Sequence, residues 1–391
     1  MTAPPAFVPP AFAPTGTALG HGDTRPASSE APSLAGLRAR IRADGPITVA
    51  AFMAEALLHP LHGYYTQGDG IGADGDFVTA PEISQMFGEL LGLWCIDTWH
   101  RLGAPAPFAL VELGPGRGTL MADILRTARL DAAFADALRP VLLEASPALR
   151  ERQAARIARH DASWVADLEA LPALPALIVA NEFVDALPVH QLIRLDDGWH
   201  ERLVGLDPAG ELRFEAAADP FPPRPAPAPP LPAAAPGTVM ELRPAADALV
   251  ARLAEAILGR GGAALIVDYG STGAPLRDSL QAVRRHRRAE VLSAPGSADL
   301  TAHVDFTALA RAARAAGCAI AGPETQGGFL QRLGLGLRAQ RLAAARPDQA
   351  EAIAAAARRL ADPAEMGELF KALALLPPGI AACAGFDGVP G

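Results

Sequence analysis

The chain is short of cysteine, of long apolar runs and of positive charge, and each shortage removes a class of explanation. Only three cysteines occur in 391 residues, Cys95, Cys318 and Cys383. They lie far apart with neither metal-ligand nor redox spacing, so no metal site is expected and the thiols read as small core residues in a reduced compartment. No stretch approaches the roughly 18 consecutive apolar residues that span a bilayer, which argues for a soluble protein with no membrane insertion. The formal net charge of −9 gives no general pull toward nucleic acid, leaving small molecules or proteins as expected partners. No internal repeat is evident. Residues 1–32 hold a single arginine, Arg25, and so lack both the basic start of a signal peptide and the arginines of a transit peptide. Being rich in Pro, Ala, Ser and Thr without period, they are expected to be a disordered tail, and the chain to be cytoplasmic.

Half of the residues are hydrophobic, and the length suits one large α/β domain with elaborations, or two domains. Helical signals open at Ser33 and again at Thr48, giving an N-terminal helical cap over 33–105 that includes the glycine-rich loop from Gly68 to Gly75. Tyr64, Tyr65, Thr79 and Glu82 flank that loop and are expected to be lid or substrate residues; the alternative is an ordinary surface connection with core tyrosines. An α/β alternation then runs through strands at 108–113, 140–144, near Trp164 and at 176–181. Short runs punctuated by Asp196-Asp197-Gly198 and Asp207-Pro208-Ala209-Gly210 follow, the pattern of an antiparallel meander. With the Pro-rich stretch after it, unsuited to a central strand, the meander forms an insertion over 189–236. The core is expected over 106–188 and 237–391, its part from Phe306 onward mostly helical. Arg284-Arg285-His286-Arg287-Arg288 is the one dense basic cluster and reads as a solvated helix face, or else as a dock for an acidic partner or RNA.

The most informative segment is Val111-Glu112-Leu113-Gly114-Pro115-Gly116-Arg117-Gly118-Thr119, an apolar strand ending on an acid and entering three alternating glycines. Glycines there permit a sharp turn and close approach to a ligand, while the helix that follows offers free N–H groups. The nicotinamide fingerprint wants its third glycine at the sixth position, occupied here by Thr119, and its acid about 20 residues on; Glu144 arrives late. A nicotinamide oxidoreductase is therefore disfavoured. Acid-x-Gly-x-Gly-x-Gly resembles instead the S-adenosylmethionine (SAM) site of class I methyltransferases. Glu144 ends the next strand, where it would accept both ribose hydroxyls, while Glu112 would face the methionine ammonium. Asp167, after the third strand, would accept from the adenine amino group or simply cap a helix.

At the end of the fourth strand, Asn181, Glu182 and Asp185 put an amide and two carboxylates within five residues. Paired carboxylates match the planar fork of a guanidinium, so Glu182 with Asp185 would hold an arginine while a methyl is transferred; the other reading is a strand-end cluster that caps the next helix. If that pair fails, Thr79, Glu82 and His303 are the next candidates.

Gly63-Tyr64-Tyr65, Gly75–Ser84, Phe87-Gly88-Glu89, Val111–Leu120, Asn181–Val189, Asp299–Phe306, Thr325-Gln326-Gly327 and Met366–Lys371 together resemble the MidA family of SAM-dependent methyltransferases over about residues 34–376. The resemblance implies a class I (Rossmann-like) α/β core, SAM as cofactor and a protein substrate. In mitochondria the family includes a protein-arginine methyltransferase that assists assembly of respiratory complex I by modifying a core subunit, so a complex I subunit is an implied partner. Val184 departs from the second aromatic of the family's Asn-Glu-Phe-Phe-Asp form without removing a polar group. The expectation is a SAM-dependent protein-arginine methyltransferase; the alternative is an assembly factor that binds SAM and docks a partner without turnover.

Overall fold

The computed structural model describes residues 32–67, 79–222, 231–273, 276–380 and 383–386. Of the expected tail over 1–32, residues 1–31 lie outside the described residues, as does the glycine-rich loop from Gly68 to Gly75, while Pro32 begins the Pro32–Asp44 helix.

Apolar runs of about six residues alternating with helices build a twisted sheet whose strands are ordered Ala319–Thr325, Phe370–Leu376, Gly262–Ser271, Ala176–Asn181, Phe108–Leu113, Leu138–Leu143 and Ser163–Val165. The last five are mutually parallel; Phe370–Leu376 runs antiparallel to both of its neighbours. Val304–Asp305 adds an eighth, parallel to the end of Gly262–Ser271. Strand order reverses between Phe108–Leu113 and Ala176–Asn181, and a crevice opens beyond the carboxyl ends of strands at such a reversal.

All six residues of Phe108–Leu113 are buried, as a sheet covered on both faces requires. Phe108 and Leu110 face one way, into Phe87, Trp94, Met121 and Ile124. Ala109, Val111 and Leu113 face the other, into Ile178, Val250, Phe306 and Leu309. Glu112 therefore points to the side of the Gln85–Arg101 and Thr119–Ala128 helices. Those helices cross closely at Gly88, where an added Cβ would lie 2.5 Å from that of Asp123.

The meander is His190–Leu195, Gly198–Leu206 and Leu212–Pro220, antiparallel throughout. Ile47–Thr48 and Val239–Leu242 extend its sheet on either side. At the described end of the Pro-rich segment, the Pro232 carbonyl accepts from Trp199 Nε1 at 3.0 Å.

Two expectations need correction. The C-terminal region carries the expected helices, among them Phe306–Ala315, Leu335–Ala345 and Ala350–Ala361, but also two strands that complete the central sheet. Phe370–Leu376 reads Phe-Lys-Ala-Leu-Ala-Leu-Leu without one β-branched residue, so local propensity favoured helix and tertiary packing overrode it. The Arg284–Arg288 cluster is not on a helix: Gln281–Arg284 and Arg287–Ala289 form a hairpin.

Candidate functional site

The glycine turn stands at the strand-order reversal. Gly114, Gly116 and Gly118 have φ of 62°, 51° and 75°, the left-handed region in which a Cβ is unfavourable. At Gly114 a Cβ would also come within 2.7 Å of the Phe183 ring, so the turn and the Asn181–Asp185 segment press together. Gly118 opens the Thr119–Ala128 helix and has no side chain to cap it, leaving first-turn amides directed at the turn. The Glu112 carboxylate receives the Met121 N–H, while burial, with Asp123 and Glu144 nearby, pushes its pKa up to about 8. Its Oε2 is buried without a hydrogen-bond partner among the described residues.

Glu144 is held from two sides. Its Oε1 accepts the Ser146 N–H at 2.8 Å and its Oε2 accepts from Gln153 Nε2 at 3.0 Å. The same Gln153 nitrogen donates to the Gly116 carbonyl at 2.7 Å, and Gln153 Oε1 accepts from Trp164 Nε1 at 2.8 Å. One fully buried amide thus links the glycine turn, the acid of the second strand and the third strand. Burial raises the pKa of Glu144. Asp167 accepts the Ala170 N–H at 2.8 Å, which makes it a cap of its own turn.

These residues suit SAM. The Glu112 Oε2 and the Asn181 Oδ1 are buried acceptors without partners among the described residues, on adjacent strands in register at Leu113 and Ala180, and an ammonium supplies the donors both lack. Each Glu144 oxygen carries one bond, and carboxylate oxygens have a second lone pair for a pair of hydroxyls.

Beyond the fourth strand the chain turns sharply at Glu182, whose φ of 50° is strained for a residue with a side chain. Asp268 compensates: its Oδ2 accepts the N–H groups of Phe183, Val184 and Asp185 at 3.2, 2.9 and 3.2 Å, and its Oδ1 that of Tyr269 at 2.9 Å. Glu182 Oε1 accepts the Ala80 N–H at 3.1 Å and Asn181 Nδ2 at 3.2 Å. Burial, with Asp185 nearby, pushes Glu182 up to about 7. Burial likewise carries Asp185 up to about 6, opposed by the Tyr269 hydroxyl and the Arg243 guanidinium.

The flanking residues divide. Tyr64 is a core residue, its ring edge-on to that of Tyr65 at 5.2 Å, whereas the Tyr65 hydroxyl donates to Asp299 Oδ1 at 2.7 Å. Thr79 precedes the Ala80–Ile83 helix without capping it. Glu82 Oε1 accepts from Thr119 Oγ1 at 2.8 Å, which ties it to the glycine turn. His303 stacks edge-on to Tyr269 at 5.3 Å, and burial lowers its pKa.

Sequence reasoning missed Asp268 and Gln153. Asp268 had a signal, since it too is an acid near the end of an apolar strand. Gln153 had none, being one polar residue among the arginines and the glutamate of the Pro147–Arg156 helix.

Comparison with known proteins agrees with this geometry. Residues 90–324 match the family model described as "Putative S-adenosyl-L-methionine-dependent methyltransferase". Among curated proteins, the chain is 40% identical over 379 residues to the mitochondrial protein arginine methyltransferase NDUFAF7 homolog of Drosophila melanogaster, covering 88% of this chain and 85% of the relative. It is 37% identical over 374 residues to mitochondrial protein arginine methyltransferase NDUFAF7 of Homo sapiens, covering 88% and 83%. A crystal structure of a COG1565 superfamily member from Burkholderia thailandensis, bound to S-adenosyl-homocysteine, superposes with a TM-score of 0.76 at 31% identity over 91% of this chain and 93% of that one. The relatives' names also overturn the cytoplasmic expectation, because these proteins are mitochondrial; a tail with one arginine was no basis for assigning a compartment. A family model covering more than half of the chain, and relatives sharing over a third of its residues along most of its length, establish that it belongs to the S-adenosyl-L-methionine-dependent methyltransferase family.

Proposed function

We propose that this enzyme methylates an arginine side chain of a protein, and that a subunit of respiratory complex I is the first acceptor to test. The carrying observation is the pair Glu182 and Asp185, two carboxylates on one turn at the end of the Ala176–Asn181 strand, held next to the glycine turn by three N–H bonds to Asp268. SAM, when bound, supplies an electrophilic methyl on a sulfonium. The chain's own task is to align a nucleophile with it and exclude water.

A guanidinium presents parallel N–H donors that carboxylates match in pairs. Both bonds to Glu182 fall on Oε1, which leaves Oε2 uncommitted among the described residues. Ionised Glu182 and Asp185 would hold the positive charge of the acceptor on the side away from the attacking nitrogen. Glu144 and Gln153 would fix the ribose, and Glu112 with Asn181 the ammonium. The names of the curated relatives, protein arginine methyltransferases, support the same acceptor.

The test is incubation of purified enzyme with methyl-labelled SAM and lysate of a strain lacking the gene, followed by mass spectrometry of labelled proteins. Methylarginine is the expected product. Label on lysine alone, or bound SAM with no transfer, contradicts the reading.

A further inference from the structure

The basic cluster that sequence patterning placed on a helix is the tip of a hairpin. Arg284 pairs with Arg287 across a two-residue turn made by Arg285 and His286, with φ of 50° and 60°. Positive φ at both positions is the type I′ geometry normally taken by Asn-Gly or Gly-Gly. Here arginine and histidine occupy it, so side chains are presented where glycine would be the easier choice. All five residues from Arg284 to Arg288 are exposed, and Arg284, Arg287 and Arg288 have no ion-pair partner among the described residues. The chain as a whole carries a formal charge of −9, against which four arginines within five residues stand out.

Its position connects it to the acceptor side of the site. The Gln281–Arg284 strand also pairs with Asp299–Thr301, the strand that carries the Tyr65 partner Asp299. The next residue, Ala302, donates its N–H to the Asp185 carbonyl at 3.0 Å. Arg277 Nη1 lies 3.1 Å from His303 Nδ1, and the charges of Arg277 and Arg288 both disfavour protonation of that imidazole. The register sets Gln281 opposite Thr301, so the three-stranded sheet runs from the turn that carries Glu182 and Asp185 outward to the cationic tip at its far end.

We propose that the Arg284–Arg288 hairpin is a docking surface for an acidic segment of the protein acceptor, an inference that rests on the protein-methylation reading above. A carboxylate-rich strand or loop matches a row of guanidinium groups in paired fashion. Complementary charge at the rim of a site speeds encounter and fixes register. Nucleic acid is the lesser fit: the tip offers no Phe, Tyr or Trp on which bases stack, and the rest of the molecule is acidic.

The test uses the full chain and the triple variant Arg284→Gln, Arg287→Gln, Arg288→Gln, with SAM affinity as the check that the variant is folded. Fluorescent deca-glutamate is titrated into each protein and followed by anisotropy, and labelling of deletion-strain lysate proteins is measured in parallel. The wild type should bind deca-glutamate at least about 10-fold more tightly than the variant, less tightly as salt rises, and should label its acceptor proteins at least about 10-fold faster at limiting acceptor. Equal peptide binding and equal labelling by the two proteins overturn the docking surface, as does tighter binding of oligouridylate than of deca-glutamate by the wild type. A wild type that labels no protein at all removes the protein-methylation reading, and the inference with it.

Discussion

Gln153 holds Glu144 by a single 3.0 Å hydrogen bond made from the same nitrogen that holds the Gly116 carbonyl. The glycine turn and Glu144, the proposed ribose acid, are thus one unit, and disturbing the amide should disturb both. Gln153→Leu keeps approximate volume but strands the Gly116 carbonyl, the Glu144 Oε2 and the Trp164 N–H, buried groups that cost about 1–3 kcal/mol each when left unpaired. SAM affinity is expected to fall at least about 10-fold, read by isothermal titration. Unchanged affinity would show that the link is not needed for the cofactor.

Glu144→Ala removes the proposed ribose acceptor itself. SAM and its demethylated product share that ribose, so both should weaken together by about 1.5–3 kcal/mol, or roughly 10- to 150-fold. A change of less than about two-fold for either ligand would take the role away from Glu144.

Asp268→Asn replaces an acceptor-only group by one that turns an NH₂ toward backbone donors. With four N–H groups converging on the carboxylate, the expected loss is about 1.5–3 kcal/mol in urea unfolding. Methyl transfer should fall further than SAM affinity does, because the strained Glu182 turn relaxes. Wild-type stability and transfer in Asp268→Asn would mean the turn holds its shape without Asp268.

Burial keeps Glu182 at about 7 and Asp185 at about 6. Both exceed the ordinary carboxylate values near 4, so across that interval the folded state binds more protons than the unfolded chain. Stability is then fully present at low pH and declines as pH rises through the folded values. Glu182→Gln removes one of these groups, and its Tm relative to wild type should rise between about pH 5 and pH 8. Thermal melts across that range check the sign; parallel curves would contradict it. Transfer by the wild type should rise over the same interval, as the pair ionises.

Much of the architecture was legible because it rests on short-range signals. Val111-Glu112-Leu113 followed by alternating glycines encodes a strand, a turn and a helix start within a dozen residues, and Glu144 repeats the strand-end acid. The Asn181–Asp185 turn was legible as chemistry but not as geometry: that Glu182 would take positive φ depends on Asp268, 86 residues away. The Phe370–Leu376 strand and the Arg284–Arg288 hairpin were misread for one reason. Alanine and arginine favour helix locally, and only packing against a sheet edge decides otherwise. Gln153 was invisible because its role exists only once three strand ends are side by side.

The most direct test of the account is single-turnover methylation of matched arginine and lysine substrates by wild type and Glu182→Gln, both saturated with SAM. The amide keeps the shape of the carboxylate and loses the charge that orients a guanidinium. The account predicts SAM affinity nearly unchanged, transfer to arginine reduced on the order of 10²-fold or more in the variant, and poor use of lysine by the wild type, since an ammonium cannot match the fork. Equal transfer by the two enzymes, or equal use of the two substrates, would contradict it and reduce Glu182 and Asp185 to a cluster that shapes the end of a strand.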